Sequence, residues 1–142
     1  MVLTDLHNFA MPLIRYDTGD LAVAQPSPCE CGRGFPLVTV EGRSHEALRG
    51  PEGKMVTPRQ LAVALSKCLD PGTEYQLLQE ASDRVRLVLV PRAELSDATA
   101  ALLRRTLRAM VDGECQVFVE TTGQIASEPS GKRPTVKRVP VV

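Results

Sequence analysis

Tyr75-Gln76-Leu77-Leu78-Gln79-Glu80-Ala81-Ser82-Asp83-Arg84-Val85-Arg86-Leu87-Val88-Leu89-Val90 reads as two β-strands, Tyr75 to Ala81 and Arg84 to Val90. The two-residue connection Ser82-Asp83 suits an antiparallel hairpin. In the second arm Arg84 and Arg86 alternate with Val85, Leu87 and Leu89, which turns one face to a core and leaves the other partly wet. Pro91 ends it. Upstream, Thr57-Pro58-Arg59-Gln60 starts a helix, with a Thr cap, Pro at the first helical position and Gln three residues after the cap. Leu61, Leu65, Cys68 and Leu69 then form one apolar stripe, which makes Cys68 a packed core thiol, and Asp70-Pro71-Gly72 stops the helix. Downstream, Ser96-Asp97 caps a second helix with Leu102, Leu103, Leu107, Met110 and Val111 on its apolar face. Arg104, Arg105 and Arg108 make a solvated flank, and Asp112-Gly113 closes the helix. Cys115 to Glu120 is a last strand with Cys115, Val117 and Val119 on one side, and Ala47 to Val56 reads as a hairpin with Gly50 and Gly53 in its connection. The order predicts an α+β fold, a small sheet with two main helices on one face.

With 142 residues the chain is one domain, or one domain and a piece of another. Its 17 basic and 17 acidic residues cancel, so no bulk charge draws it to nucleic acid or anionic membrane. No apolar run approaches the roughly 20 residues of a membrane helix, and the first residues lack a signal-peptide pattern. Four cysteines, two of them one residue apart, do not form a secreted disulfide framework. The expected setting is a reducing cytoplasm.

The first third is the least self-sufficient. Leu13, Ile14 and Tyr16 suggest a strand running to a turn at Thr18-Gly19-Asp20, and Leu21 to Ala24 a short return strand. Asp20, at the turn's exit, either is a solvated turn residue or accepts hydrogen bonds from a vicinal diol such as a ribose. From Gln25 to Pro36, three prolines and two glycines make a loop. Val38-Thr39-Val40-Glu41-Gly42-Arg43 is a β-branched strand ending in Gly-Arg. Taken alone, these strands lack partners and are expected to be disordered, to pair with a second copy, or to fold back on the following domain. At the other end, polar residues from Thr121 to Ser130 lead to Gly131-Lys132 and then Arg133, Lys137 and Arg138, which read most simply as a solubilising basic tail.

The ordered set Tyr16-x-Thr18-Gly19-Asp20, Gly42-Arg43 and Pro129-Ser130-Gly131-Lys132 resembles the C-terminal motifs of the adenylate-forming superfamily of acyl-CoA synthetases. Within it, Asn8 to Tyr16 and Cys29-Glu30-Cys31-Gly32-Arg33 look most like the phenylacetate-coenzyme A ligase branch. The resemblance runs from about Asp5 to about Val139 and implies a C-terminal portion of such an enzyme. Residues 1–41 would be the terminal β segment of the large N-terminal domain, 42–46 the hinge, and 47–142 the lid domain. The family's large domain carries a phosphate loop and an acyl pocket, and this sequence has no Gly-rich phosphate loop. The resemblance further implies that Tyr16, Asp20 and Arg43 bind ATP/AMP, that Gly50 borders coenzyme A, and that Lys132 assists adenylation. His45 stands at the hinge where the family has Asp. The complete enzyme would use ATP with Mg2+ and coenzyme A. None of these is expected to bind the isolated chain tightly, and that chain is expected to be inactive without a large domain in the same or a separate chain. A homodimer through the unpaired N-terminal strands is a further expectation; nucleic acid and membrane are not expected partners.

Two other readings stand beside this one. Cys29-x-Cys31 is half of a zinc site, which His7 or a second chain would have to complete, since Cys68 and Cys115 are committed to core faces. A stand-alone regulatory or interaction module is the other, because helices on one face of a small sheet also serve in effector binding and assembly. Whether Asp20, Arg43 and Lys132 converge separates the lid from the module.

Overall fold

The computed structural model describes residues 1–111 and 114–139, and the chain divides into two compact units, Met1–His45 and Glu46–Val142. The helix stop expected at Asp112-Gly113 lies outside the described residues.

In the first unit, strands β1 (Val2–Leu3) and β2 (Tyr16–Asp17) pair antiparallel, and so do β3 (Asp20–Gln25) and β4 (Leu37–Arg43). Two expectations are corrected here. The strand read through Leu13 and Ile14 is only the two residues of β2, because Arg15 takes a φ of 51°, a left-handed conformation that no extended strand can run through. The return strand does form, but β3 turns away from β2 and pairs with β4 across the Pro-rich loop, with a bulge between Leu21 and Ala22. The strands expected to be without partners therefore supply their own. What the unit does not supply is a core. Every buried hydrophobic residue described lies between Ala47 and Val136, whereas Leu6, Phe9, Met11, Ile14 and Phe35 are each 67–87% exposed.

In the second unit, β5 (Leu48–Arg49) and β6 (Met55–Val56) make the expected hairpin, closed by a bond from Gly50 N–H to Lys54 O (2.8 Å). Helix α1 (Pro58–Leu65) has the predicted capping box: Thr57 Oγ1 accepts from Gln60 N–H (3.2 Å) and Gln60 Oε1 from Thr57 N–H (2.9 Å). It is shorter than its apolar stripe. Cys68 and Leu69 lie beyond it, their N–H groups both donating to Leu65 O, and still pack on the core. The hairpin of β7 (Glu74–Ala81) and β8 (Arg84–Val90) is antiparallel, with Leu77 opposite Leu87 and a bulge between Gln79 and Ala81. Helix α2 (Asp97–Val111) begins where Ser96 Oγ accepts from Thr99 N–H (3.1 Å). Strand β9 (Gln116–Thr121) then runs parallel to β8.

A strand not foreseen completes the sheet. Residues Val136–Arg138 form β10, parallel to β7, giving the order β10-β7-β8-β9. Lys137 and Arg138 are thus part of an edge strand rather than a tail. Val136 is the reason: it is 2% exposed beside Leu77, and Leu77 N–H bonds to Thr135 O (2.9 Å). The core is one cluster in which Leu61 and Leu65 of α1 and Leu103, Leu107 and Val111 of α2 meet Leu77, Val85, Leu87, Leu89, Cys115 and Val117. On the opposite sheet face, Arg86 bonds Glu80 and sets its Nε 3.5 Å from Glu120 Oε1, which is how a charged side chain occupies the middle of a strand.

Gln79 performs a task that the strand pattern did not reveal. Only 6% exposed, it accepts from Arg49 N–H at Oε1 (3.1 Å), and its Nε2 donates to Arg49 O and to Ala81 O (3.2 Å). One amide side chain thereby stands in for a strand and ties β5 to β7.

Candidate functional site

The register of β3 and β4 sets Asp20 directly opposite Arg43. Arg43 Nε lies 3.1 Å from Asp20 Oδ1, and its guanidinium also donates to Thr18 O. The turn leading into Asp20 is built from short polar side chains: Gly19 N–H donates to Asp17 Oδ1 (3.0 Å), Asp20 N–H to Thr18 Oγ1 (3.2 Å), and Ser44 N–H returns to Gly19 O (2.8 Å). Gly19 takes a φ of 70°, which favours glycine. The Asp20 side chain is 20% exposed and the Arg43 side chain 53%. Asp20 thus keeps an acceptor oxygen beyond the one facing Arg43, in a place where a diol can approach, and Arg43 keeps donors for an anion. Tyr16 lies on β2, 52% exposed, and no hydrogen bond joins it to this pair.

Lys132 belongs to the second unit. The loop from β9 to β10 is pinned along its length: Ile125 is 5% exposed, Arg133 pairs with Glu74 (2.7 Å) and bonds Ser127 Oγ (2.9 Å), and Thr135 N–H donates to Glu46 Oε2 (3.0 Å). Glu128-Pro129-Ser130-Gly131-Lys132 closes on itself, with Glu128 N–H on Lys132 O (2.9 Å), Gly131 N–H on Glu128 O (2.8 Å) and Gly131 at a φ of 76°. Lys132 is exposed, and its ammonium takes no hydrogen bond or ion pair with the described residues. The base of the side chain is fixed, and among the described residues its charged tip has no partner.

Glu46, which the sequence reading passed over, connects the start of this unit to the same loop through Thr135. His45 is exposed in the 3-10 turn Ser44–Glu46. Gly50 is buried against the end of α2: a Cβ there would lie 3.0 Å from Val111 O. That close approach gives Gly50 a packing reason independent of any ligand. Of the three residues whose convergence was in question, Asp20 and Arg43 are brought together in the first unit, while Lys132 stands on the second.

Cys29 and Cys31 flank a tight turn closed by Gly32 N–H on Cys29 O (3.1 Å). Among the described residues no group of three or more His, Cys, Asp or Glu side chains is placed to hold a metal ion, so the two thiols have no third ligand there. Cys115 is buried, and burial, with the Asp83 charge, pushes its thiol pKa up. Cys68 sets its Sγ 3.7 Å from Ala64 O and from Thr106 Oγ1, as a packed thiol does.

No family model matches the sequence, and no curated protein does. Solved structures match. A 2-hydroxyisobutyryl-CoA ligase in the postadenylation state, in complex with 2-HIB-AMP, superposes with a TM-score of 0.60 at 22% identity, over 90% of this chain and 29% of that one. An open conformation of the 2-hydroxyisobutyryl-CoA ligase with 2-HIB-AMP and CoA gives 0.55 at 20% identity, over 89% and 29%. The fold is that of the C-terminal domain of an adenylate-forming ligase. The chain spans 29% of the length of the ligase it matches. At this identity it is the ligase fold that is shared. No helix among the described residues is long and apolar enough to cross a membrane.

Proposed function

We propose that this chain is the C-terminal lid portion of an ATP-dependent aryl- or acyl-CoA ligase of the phenylacetate-CoA ligase type, with Lys132 as its adenylation lysine. One observation supports this above others: on a ligase-type α+β fold, Lys132 stands on an anchored loop with an exposed ammonium that no described residue neutralises. Forming an acyl-adenylate requires a carboxylate to attack the α-phosphate of ATP while pyrophosphate leaves, so negative charge accumulates at the site. A single ammonium delivered by a movable domain offsets that charge where it develops.

Asp20 accepts from the ribose hydroxyls in this reading, and Arg43, held beside it, reaches ribose or phosphate. Tyr16 lines the nucleotide, residues 42–46 form the hinge with His45 as its hinge residue, and Gly50 borders the coenzyme A path. Rotation about the hinge withdraws Lys132 after adenylation and admits the thiol, a recognised use of domain motion. Mg2+, which accompanies ATP, finds no cluster of three ligating side chains among the described residues. The acyl pocket and the phosphate loop belong to a large domain, in the same or a separate chain, which is the partner this lid requires.

The test separates the half-reactions. In the complete or reconstituted enzyme, Lys132→Ala is expected to slow adenylate formation roughly a hundredfold or more, the usual effect of losing one preorganised donor. Thioesterification of a supplied acyl-adenylate should be spared. Equal loss in both half-reactions removes Lys132 from the role. Without a large domain, pyrophosphate release with aryl acids should stay at background.

A further inference from the structure

The two cysteines that the ligase reading leaves unused are placed for chemistry of their own. Cys29 is half-buried, Cys31 is exposed, and neither is in a disulfide. They sit in the loop joining β3 to β4, at the end of that ribbon away from Asp20 and Arg43. An extended chain would hold the Cα atoms of residues i and i+2 about 6.6–7.2 Å apart, at or beyond the upper limit of roughly 6.8 Å for a disulfide. Here the segment is folded. Gly32 N–H closes a turn onto Cys29 O (3.1 Å), Gly32 takes a φ of 76°, and the bend that brings the Cα atoms of Cys29 and Gly32 to under about 7 Å also draws Cys31 in towards Cys29. The turn shortens the separation of positions 29 and 31 below its extended value, into the range a disulfide can bridge.

We propose that Cys29 and Cys31 form a thiol–disulfide exchange pair, with Cys31 the attacking thiol, Cys29 the resolving one, and a low-molecular-weight disulfide as the co-substrate. The Cys31 thiolate attacks one sulfur of that disulfide, the S–S bond breaks, and one thiolate leaves. Cys29, losing its proton to solvent, then attacks the Cys31 sulfur of the mixed disulfide and expels the second thiolate. Two protein thiols are oxidised and one disulfide is reduced to two thiols. Two features favour this direction of attack. Cys31 is the more accessible sulfur, and the neighbouring Cys29 thiol and the backbone at Arg33 hold its pKa below the ordinary thiol value. The other two thiols are internal controls. Cys115 is buried with its pKa raised, and Cys68 is packed against α1 and Thr106.

The experiment uses the full chain, reduced and then exposed to oxidised glutathione, with residual thiols alkylated after denaturation and each cysteine read by peptide mass spectrometry. Wild type should end with a Cys29–Cys31 disulfide and no retained glutathione. Cys31 should be modified at least about tenfold faster than Cys115, which is buried with its thiol pKa raised. Cys29→Ser should keep glutathione on Cys31, and Cys31→Ser should leave residue 29 slow. Glutathione persisting on wild-type Cys31 without ring closure would overturn the proposal. So would equal rates at Cys31 and Cys115, or a stoichiometric metal ion on the protein as purified that withholds both thiols from alkylation.

Discussion

Gly50 and Lys132 show how differently two residues singled out by one resemblance can be supported. Gly50 is buried, and a methyl group there would press on the Val111 carbonyl at 3.0 Å. Overpacking of this kind typically costs about 1–3 kcal/mol, so Gly50→Ala should lower the urea midpoint of the free chain, with no coenzyme A present. A residue whose only role was to border a ligand would leave that midpoint unmoved. Lys132 is the opposite case. It is exposed and contributes only backbone bonds to its turn, so its replacement should leave stability unchanged and appear only in the adenylation rate. Asp20 and Arg43 fall between them. Their partly exposed ion pair contributes about 0.2–1 kcal/mol at most to folding, and its value lies in holding a carboxylate and a guanidinium side by side.

Among the elements, the link from Gln79 to Arg49 carries the clearest consequence. Gln79→Leu keeps the volume but leaves the N–H and C=O of Arg49 without the amide that satisfies both. Buried groups stripped of a partner cost about 1–3 kcal/mol. The variant should therefore lose that much stability, and hydrogen exchange should speed up selectively at Arg49 and its neighbours in β5, with α2 unaffected. Uniform acceleration across the sheet would mean that the amide serves packing rather than attachment. Strand β10 makes a related point. Its Val136 and Lys137 alternate as an edge strand should, in a stretch whose arginines and lysines otherwise suggest a tail.

For the whole molecule, the distribution of burial decides what is rigid. The core cluster lies wholly within the second unit, from Leu48 to Val136, and the first unit contributes paired strands with exposed apolar side chains. Native-state hydrogen exchange should accordingly find the slowest amides in β7, β8 and α2, and exchange at least about tenfold faster, roughly 1.4 kcal/mol of opening energy, throughout residues 1–45. Protection of β3 and β4 equal to that of β8 would contradict this. The core also sets an alkaline limit. Burial raises the pKa of Tyr75 and of Cys115, so the folded chain holds two protons that the unfolded chain releases near 10.0 and 9.0. Their contribution is fully present below about pH 9 and is lost as pH rises through the raised values. Stability should be level from neutrality to pH 9 and decline above it, and Tyr75→Phe should flatten the upper part of that decline.

Sequence by itself determined the local elements of the second unit. Thr57-Pro58-x-Gln60, the Ser82-Asp83 connection and the alternation around Arg86 each depend on neighbours a few residues apart, and periodicity and capping chemistry act at that range. Tertiary structure alone decided that β3 pairs with β4 rather than β2, that Val136 draws the basic tail into the sheet, and that Gln79 fastens β5. Each of these rests on contacts between residues far apart in the chain, and their free energy comes from surfaces that exist only once the other elements have formed. The same division holds for the candidate site: the order of Asp20, Arg43 and Lys132 is written in the chain, whereas the 3.1 Å pairing of the first two is a product of strand register.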